Sequence, residues 1–231
     1  MGHVCARNIA ILCARLGPST GAATATAQGD IQFMRWCTSG GYPIIVLSPT
    51  NIPEAYHLTK RAFKLARRFR CPVFIATDKE TVMTTESVAE SKMLNDPDWP
   101  KIPEAPVGNA LDPYRINGKI HHYTGSSHNK EGHITKDPNI IADLNEQLIK
   151  KIEKHVGELS LVKTDLEVEA ETLILSYGIS ARSMEAAVHQ LRNKGENVSA
   201  LTAYSLWPIP EKEILESLHG INRIIIPEMN H

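Results

Sequence analysis

Residues 44–76 decide the fold and read IIVLSPTNIPEAYHLTKRAFKLARRFRCPVFIA, which predicts a strand, a helix and a second strand. Residues 44–47 and 73–76 are continuous apolar runs, typical of strands that helices cover on both faces. Asn51 can begin the helix between them, with Pro53 in its first turn. One face of that helix is apolar and contains Ala55, Leu58, Ala62, Leu65, Ala66 and Phe69. The stretch therefore predicts a β-α-β unit with parallel strands.

Further apolar runs of strand length lie on both sides of this unit. They are residues 9–13, 173–175, 198–201 and 224–226. Ser180 is expected to cap a helix that ends at Gly195. The inward face of that helix would contain Met184, Ala187, Val188 and Leu191. The sequence thus predicts an α/β protein in which a second β-α-β unit follows the first.

The chain divides into three parts on this pattern. Residues 1–92 form the first domain, residues 93–164 form a connecting segment with a closing helix, and residues 165–231 form the second domain. Residues 95–137 are rich in Pro, Gly, His and Asn and have no sustained period, as expected for a long connection. The closing helix is predicted over residues 140–156.

Composition and charge exclude several classes of function. The chain has 231 residues, of which 42 % are hydrophobic, and this is enough to bury a core. Its net charge of -1 provides no general attraction to nucleic acid or to an anionic membrane. No apolar run reaches the roughly 20 residues of a membrane span, and the first residues show no cleavage site for a secretory signal. We therefore expect a cytoplasmic protein that binds neither nucleic acid nor a membrane.

The predicted helix after Asn51 also carries many basic side chains. They are Lys60, Arg61, Lys64, Arg67, Arg68 and Arg70. A nucleic-acid surface is one interpretation, but the apolar stripe and the near-zero net charge favour a solvated or subunit-facing side of the helix.

The cysteines and histidines match no common metal motif. The cysteines are Cys5, Cys13, Cys37 and Cys71, without a C-x-x-C pair, which favours reduced thiols and places any redox metal on another subunit. The clustered histidines are His121, His122, His128 and His133, with Glu131 and Asp137 nearby. Their spacing fits neither H-E-x-x-H nor a zinc finger, so we expect no metal site there and assign this segment no role.

Residues 15–30, RLGPSTGAATATAQGD, directly follow a predicted strand and contain the side chains best suited to binding. Gly17 and Pro18 force a turn at the carboxyl end of that strand, where open parallel sheets bind ligands. Arg15 offers a planar guanidinium for a carboxylate or phosphate. Hydroxyl groups follow at Ser19, Thr20, Thr24 and Thr26. The pattern indicates an anion site, and a surface turn with capping hydroxyls fits it equally well.

Two other segments, at Gly178 and at residues 207–210, are predicted to be turns. Gly178 lies between a predicted strand and a predicted helix, which suits a phosphate cradle or a tight turn, and a lone glycine favours the turn. Residues 207–210, WPIP, restrict the backbone and are expected to set the entry of the next helix.

The pattern R-x-G-P-S-T-G, followed by a threonine and by Q-G-D, resembles the signature of α subunits in the thiamine diphosphate-dependent 2-oxoacid:ferredoxin oxidoreductases. Other segments that resemble the family follow in the same order: residues 39–80, 124–138 (TGSSHNKEGHITKDP), 173–188 (LILSYGISARSMEAAV), 205–214 (SLWPIPEKEI) and 224–230 (IIIPEMN). The resemblance covers residues from about 9 to 231.

This resemblance implies an α/β fold with a partial, pyrimidine-type thiamine diphosphate-binding domain, followed by a domain similar to the transketolase C-terminal domain. It implies that Arg15, Thr20 and Thr24 bind the 2-oxoacid, although Ala23 stands where the family usually has proline. Thiamine diphosphate with Mg would be shared with or held by a β subunit, and an iron-sulfur cluster would lie only on a partner subunit. Gamma and delta subunits are further expected partners.

Set against the family, the chain is expected to lack part of its pyrimidine-binding domain and to stop early at His231. In the family, the missing part of the pyrimidine-binding domain carries the glutamate that protonates the cofactor's pyrimidine. No acid in the sequence takes that role by motif, so we name no catalytic residue. A gene fragment, a split gene and a shortened paralogue all remain open.

Two functions follow from the resemblance. The first is an enzyme subunit, inactive alone, for oxidative decarboxylation of a 2-oxoacid with coenzyme A to acyl-CoA, carbon dioxide and reduced ferredoxin. The alternative is a catalytically incompetent fragment or assembly module that docks on the β subunit. The segments TAQGDIQF and SGGYP resemble the 2-oxoglutarate type of the family more than the pyruvate type, which favours 2-oxoglutarate as the substrate. A branched-chain 2-oxoacid is a further alternative.

Overall fold

A computed structural model describes residues 10–13, 27–37, 41–105, 107, 124, 126–129 and 131–229. The strands are β1 (Ala10–Cys13), β2 (Ile45–Leu47), β3 (Val73–Ala76), β4 (Val162–Asp165), β5 (Thr172–Ser176), β6 (Val198–Ala203), β7 (Ser205–Trp207) and β8 (Arg223–Ile225). The helices are α1 (Ile31–Trp36), α2 (Ile52–Phe69), α3 (Lys79–Met83), α4 (Glu90–Leu94), α5 (Pro138–Glu153), α6 (Val156–Leu159), α7 (Gly178–Asn193) and α8 (Glu211–Glu216). None of the helices in this part of the chain is both long and apolar enough to cross a membrane.

Helix α2 forms where the sequence predicts it, because its first turn is capped and one face is apolar. The Asn51 side chain accepts a hydrogen bond from the Glu54 amide at 3.0 Å. Leu58, Leu65 and Phe69 are fully buried against the first sheet. Burial of each such side chain contributes roughly 1.5–3 kcal/mol, so the apolar face is the main reason that this helix is stable.

The first sheet has the strand order β1-β3-β2-β7. Strands β1 and β2 both pair with β3 in parallel, so the predicted β-α-β unit is confirmed. Strand β7 comes from the far end of the chain and pairs antiparallel with β2, with Val46 opposite Trp207. Local sequence patterns did not predict this pairing, which ties the two halves of the chain together.

The second sheet has the order β4-β6-β5-β8. Strand β5 pairs in parallel with β6 and β8, and β4 lies antiparallel at one edge. The second β-α-β unit is confirmed, and both sheets are mixed rather than purely parallel. Strand β4 was not predicted, and because three of its four residues (162–164) lie within residues 93–164, the connecting segment contributes to this sheet. The domain boundaries themselves remain a prediction.

Two basic side chains of α2 differ from the prediction that they would be solvated or face another subunit, whereas Lys64 and Arg67 are exposed as expected. Arg61 and Arg68 are buried against the connecting segment of the same chain. Arg68 forms a bidentate ion pair with Glu158, at 2.7 and 2.8 Å, and also donates to the Ala105 carbonyl. Arg61 donates to the Pro100 carbonyl at 2.7 Å. These arginines therefore hold the connection onto the helix, and Arg70 is buried as well.

Candidate functional site

Polar residues follow three strands at the place where the two sheets approach each other. Ser48 follows β2, Asp78 comes two residues after β3, and Ser176 ends β5. The segments that follow the two sheets are joined by a hydrogen bond, in which the Ile179 amide of α7 donates to Asp78 Oδ2 at 2.8 Å. We call the cluster the polar junction; its members are Gln28, Ser48, Asp78, Ser176, Gly178 and Ser180. All six are buried, although carboxyl ends of strands are where ligands usually bind in α/β proteins.

Asp78 lies between the first turns of two helices. Its Oδ1 accepts a hydrogen bond from the Thr81 amide of α3 at 2.8 Å, and its Oδ2 accepts the Ile179 amide of α7. The side chain is 1 % exposed. Helix N-termini carry partial positive charge, so both helices stabilise this buried carboxylate. Asp78 therefore occupies the anion position at the start of α7.

Gly178 packs more tightly than any other residue type would allow. Its φ of +56° is a left-handed conformation that side chains disfavour. A Cβ placed here would lie 2.8 Å from Gln28 Nε2 and 3.2 Å from Asp78 Oδ2. The turn thus brings α7 close to two polar side chains of the first half of the chain, which supports the tight turn rather than the phosphate cradle.

Gln28 joins the junction from the 15–30 segment. It is fully buried, and its amide oxygen accepts from the Met229 amide at 3.1 Å and from the Ser180 hydroxyl at 3.3 Å. Its backbone amide donates to the Met229 carbonyl at 3.1 Å. A residue near the start of the chain is therefore fixed to α7 and to the segment after β8.

Two serines of the polar junction and the neighbouring Tyr177 have different polar environments. The Ser176 hydroxyl donates to the Pro227 carbonyl at 2.6 Å. The Ser48 hydroxyl is buried and has no hydrogen-bond partner among the described residues. Burial, assisted by the Glu228 carboxylate, raises the pKa of Tyr177 to about 12, so this phenol beside the junction stays protonated at neutral pH.

The predicted 2-oxoacid-binding residues, Arg15, Thr20 and Thr24, lie outside the described residues. The residues on each side of them are placed. Strand β1 ends at Cys13, which pairs in register with Ala76 at the end of β3. On the other side, Gln28 lies in the polar junction. Both ends of the segment that carries the three predicted residues therefore connect to the same region of the molecule.

Sequence reasoning did not identify Gln28 or Asp78 as site residues. Gln28 belongs to the Q-G-D part of the signature, and the resemblance implied no role for it. Asp78 follows a strand and precedes a helix, a position at which an N-cap is expected. These signals could have marked both residues as structurally important, but not as neighbours of each other.

The histidine-rich connection is described only in part, and His121 and His122 lie outside the described residues. The His128 ring contacts the Ser126 carbonyl at 3.0 Å, and the Asn129 side chain accepts the His133 amide at 2.9 Å. Within the described ranges, no three His, Cys, Asp or Glu side chains are grouped so that they could hold a metal ion. The contacts of His128 and Asn129 are those of a closed turn.

Comparison with known proteins gives two family matches. The family described as pyruvate flavodoxin/ferredoxin oxidoreductase, thiamine diphosphate-binding, matches residues 8–146. Core domain II of pyruvate:ferredoxin oxidoreductase matches residues 170–231. Together the two matches include both β-α-β units.

Individual relatives agree with these matches. The 2-oxoglutarate synthase subunit KorA of Methanocaldococcus jannaschii is 31 % identical over 233 residues, covering 94 % of this chain and 60 % of the relative. The KorA subunit of Archaeoglobus fulgidus is 32 % identical over 216 residues, covering 94 % of this chain and 58 % of the relative. The chain thus spans about three fifths of the length of these relatives.

A solved structure shares the fold. It is 2-oxoglutarate:ferredoxin oxidoreductase from Magnetococcus marinus with 2-oxoglutarate, coenzyme A and succinyl-CoA bound, and it superposes with a TM-score of 0.77 at 21 % identity. The superposition covers 97 % of this chain and 42 % of the solved chain. The α/β fold that the resemblance implied is confirmed, and the chain belongs to the pyruvate flavodoxin/ferredoxin oxidoreductase family.

Proposed function

We propose that this chain serves as an α-type subunit of a 2-oxoacid:ferredoxin oxidoreductase. The complex would convert a 2-oxoacid and coenzyme A to acyl-CoA, carbon dioxide and reduced ferredoxin. The observation that carries this proposal is the placement of Cys13, just before the 15–30 segment, and of Gln28, near its end, at the carboxyl ends of the strands, within a chain of this family. Because the KorA relatives are named as subunits, we assign the complete reaction to the complex and expect this chain alone to be inactive.

Arg15, Thr20 and Thr24 are the residues that we assign to the substrate. A 2-oxoacid presents a carboxylate beside a carbonyl group. The Arg15 guanidinium can bind the carboxylate through two parallel hydrogen bonds, and the threonine hydroxyls can orient the carbonyl. The contribution of this chain is then to bind the 2-oxoacid in one orientation, which lowers the entropic part of the barrier.

The described residues do not fit the diphosphate and Mg of the cofactor. They contain no group of three candidate metal ligands, and the N-terminus of α7 already binds the Asp78 carboxylate. As the resemblance implies, we assign the diphosphate and Mg site to the β subunit and the iron-sulfur cluster to a partner subunit. Thiamine diphosphate would supply the nucleophilic chemistry that the reaction needs at the 2-oxoacid carbonyl carbon.

We propose 2-oxoglutarate as the substrate. The relatives from M. jannaschii and A. fulgidus are named 2-oxoglutarate synthase subunits, whereas a relative from Aeropyrum pernix is named only as a 2-oxoacid:ferredoxin oxidoreductase subunit. The solved structure that shares the fold contains 2-oxoglutarate. Pyruvate and a branched-chain 2-oxoacid are the natural competitors in an assay.

The test is to purify this chain with its cognate β subunit and any gamma and delta subunits, and to measure viologen dye reduction by each 2-oxoacid with coenzyme A. Arg15→Ala should raise the KM for 2-oxoglutarate by roughly 10- to 100-fold, as expected for loss of a charge-assisted hydrogen bond. Arg67→Ala, which changes an exposed arginine on α2, is the matched control. Unchanged kinetics of Arg15→Ala in an active complex would contradict the assignment.

The alternative is an assembly module that docks on the β subunit without supporting turnover. It is the second function that the sequence resemblance implies. Both functions predict co-purification with the β subunit. They differ in the dye assay, because only a catalytic subunit yields activity that depends on the 2-oxoacid and is sensitive to Arg15→Ala.

A further inference from the structure

The outer face of α2 combines aromatic and basic side chains. With about 3.6 residues per turn, the residues of this face fall within about 100° around the helix axis, opposite the fully buried Leu58 and Leu65. They are exposed or half-exposed and contain no acidic residue. We call this set the aromatic-basic stripe; its members are Tyr56, Lys60, Phe63, Lys64 and Arg67.

Two aromatic rings form the apolar part of the stripe. Tyr56 is 43 % exposed and Phe63 is 50 % exposed. Their Cα atoms lie about 10.5 Å apart along the helix axis, on the same face. Aromatic side chains are enriched at protein interfaces, where a ring that enters a pocket contributes much of the binding energy. Phe63, the more exposed ring, is therefore suited to anchor a partner.

The stripe is positively charged, although the whole chain has a net charge of -1. Lys60 forms an ion pair with Asp96 at 2.6 Å. Lys64 and Arg67 are exposed, and neither forms an ion pair with another described residue. Two positive charges therefore remain beside the aromatic rings, and they favour an acidic partner.

An acidic groove lies in the other half of the same chain. It has a volume of about 470 Å³ and is lined mainly by residues 166–171, between β4 and β5, and by residues 216–221, at the end of α8. Leu166 and Val168 give it an apolar rim, because they are 51 % and 84 % exposed. A groove of this size can receive an aromatic side chain together with a basic neighbour. Its acidic side chains are Glu167, Glu169, Glu171 and Glu216.

Hydrogen bonds hold the 166–171 loop in place. The Glu167 amide donates to Ser199 Oγ at 3.0 Å. The Asn197 side chain donates to the Val168 carbonyl at 2.7 Å. A loop that is already fixed loses little conformational entropy when a partner binds, so the acidic groove is preorganised as a binding surface.

We infer that the aromatic-basic stripe of one molecule docks into the acidic groove of a second copy of this chain. The two surfaces are complementary in charge, and each combines charged with apolar side chains. Phe63 enters the groove, and the cationic groups of Lys64 and Arg67 face its carboxylates. Because the two surfaces differ, dimers with a twofold axis, rings and longer assemblies all satisfy the contact. The contact involves no other subunit and is independent of the proposed function.

The test is the oligomeric state of the purified full chain. Because small interfaces are weak, sedimentation velocity is measured over roughly a hundredfold range of micromolar concentrations, where we expect association that declines as salt is added. Phe63→Ser should weaken association roughly tenfold or more, since it removes the anchor of the contact. The matched control is Phe33→Ser, which removes a phenylalanine of α1 that is 71 % exposed and should leave association unchanged.

Charge reversal tests the pairing of the two surfaces. Lys64→Glu with Arg67→Glu makes the stripe acidic, and Glu169→Lys with Glu171→Lys makes the groove basic. Either pair of substitutions alone should weaken association roughly tenfold or more, because like charges then face each other. All four substitutions in one chain restore opposite charges at the contact and keep the wild-type net charge. We therefore expect this chain to associate as the wild type does.

A control separates the specific contact from the effect of net charge. Lys136→Glu with Lys154→Glu changes two exposed lysines outside the stripe. Combined with the reversed groove, these substitutions also keep the wild-type net charge, but the stripe and the groove are then both basic. We expect association of this chain to stay weak. The substituted side chains are all exposed, so each variant should keep the circular dichroism of the wild type.

Several results would overturn the contact. The first is a wild-type chain that stays monomeric throughout the concentration range. The second is association that Phe63→Ser or the separate charge reversals leave unchanged. The third is a combined reversal that fails to restore association, or a control chain that restores it equally well. The dye assay of the assembled complex plays no part in these outcomes, so failure of the contact and failure of the proposed function are distinguishable.

Discussion

Replacement of Gly178 by alanine tests whether the polar junction is as closely packed as its distances indicate. The added Cβ would lie 2.8 Å from Gln28 Nε2, 3.2 Å from Asp78 Oδ2 and 3.4 Å from Ser48 Oγ. At a distance below 3.0 Å, either the new Cβ or the Gln28 side chain would have to move. Gln28 cannot move freely, because Met229 and Ser180 hold its side chain.

Two free-energy terms add up in this variant. An L-residue in the left-handed conformation costs about 1–2 kcal/mol, and forcing extra volume into a packed site costs about 1–3 kcal/mol. The smaller entropy of an unfolded chain with alanine offsets about 0.5 kcal/mol. We therefore expect Gly178→Ala to lower the free energy of unfolding by about 2–4 kcal/mol, or to lower the Tm by roughly 4–16 °C for a chain of this size.

Substitutions at two other glycines distinguish the backbone cost from the packing cost. Gly195 also has positive φ, +86°, but a Cβ there meets nothing within 4 Å, so Gly195→Ala reports the backbone term alone. Gly157 has neither feature, and Gly157→Ala should be neutral or slightly stabilising. The assay is urea unfolding of the purified variants, followed by circular dichroism. If Gly178→Ala is no less stable than Gly195→Ala, the close packing of the junction is refuted.

Two other regions of the molecule give predictions of stability and reactivity. Arg68→Met should lower the free energy of unfolding by about 2–3 kcal/mol, since it leaves Glu158 without its bidentate partner, whereas exposed Arg67→Met should change it by less than about 0.5 kcal/mol. The hydrogen bond from Arg68 holds the pKa of Glu158 below its usual value of 4.5, so this advantage should be complete above that pH and should decline as the pH falls through the lowered pKa in unfolding experiments. A difference that grows in acid would contradict the ion pair. Burial raises the pKa of Cys71 to about 11, so iodoacetamide at pH 8 should label exposed Cys37 in the native protein and Cys71 only after unfolding, as read by mass spectrometry of peptides. Equal labelling of both thiols in the native protein would show that Cys71 is accessible.

Local patterns in the sequence were sufficient for the two β-α-β units. The apolar runs of β2, β3, β5 and β6 and the apolar face of α2 are determined by neighbouring residues, so their periodicity predicted them. Strand β4 lacks an apolar run, because three of its four residues are exposed. Strand β7 has only three residues, and its Trp207 pairs with Val46 in the other half of the chain. Neither strand therefore carries the apolar periodicity by which the other strands were predicted.

The start of α7 shows how a distant contact changes a local prediction. Ser180 was expected to cap this helix, but the helix begins at Gly178, and the residue before it, Tyr177, makes no side-chain cap. Asp78, 101 residues from Ile179, accepts the amide hydrogen that a local cap would have accepted. The Ser180 hydroxyl is then free to bond Gln28. The prediction of Ser180 as the cap was wrong because the capping group comes from the other half of the chain.

Basic residues on α2 illustrate the same limit for a surface. Their spacing indicated a row of positive charge, and Lys64 and Arg67 are indeed exposed. Arg61 and Arg68 are buried because backbone carbonyls and a carboxylate of the connecting segment return to meet them. No feature of α2 alone distinguishes the two groups, since the difference lies in what packs against each side.

The polar junction links the proposed binding segment to the arrangement of the two sheets. An apolar residue at position 78 would leave the buried Thr81 amide without its acceptor, at a cost of about 1–3 kcal/mol, and an apolar residue at position 28 would do the same to the partly buried Met229 amide. The bonds of Asp78 and Gln28 each join groups from different halves of the chain, so sliding one sheet past the other would break several of them at once. The same bonds that hold the sheets therefore fix the end of the signature segment.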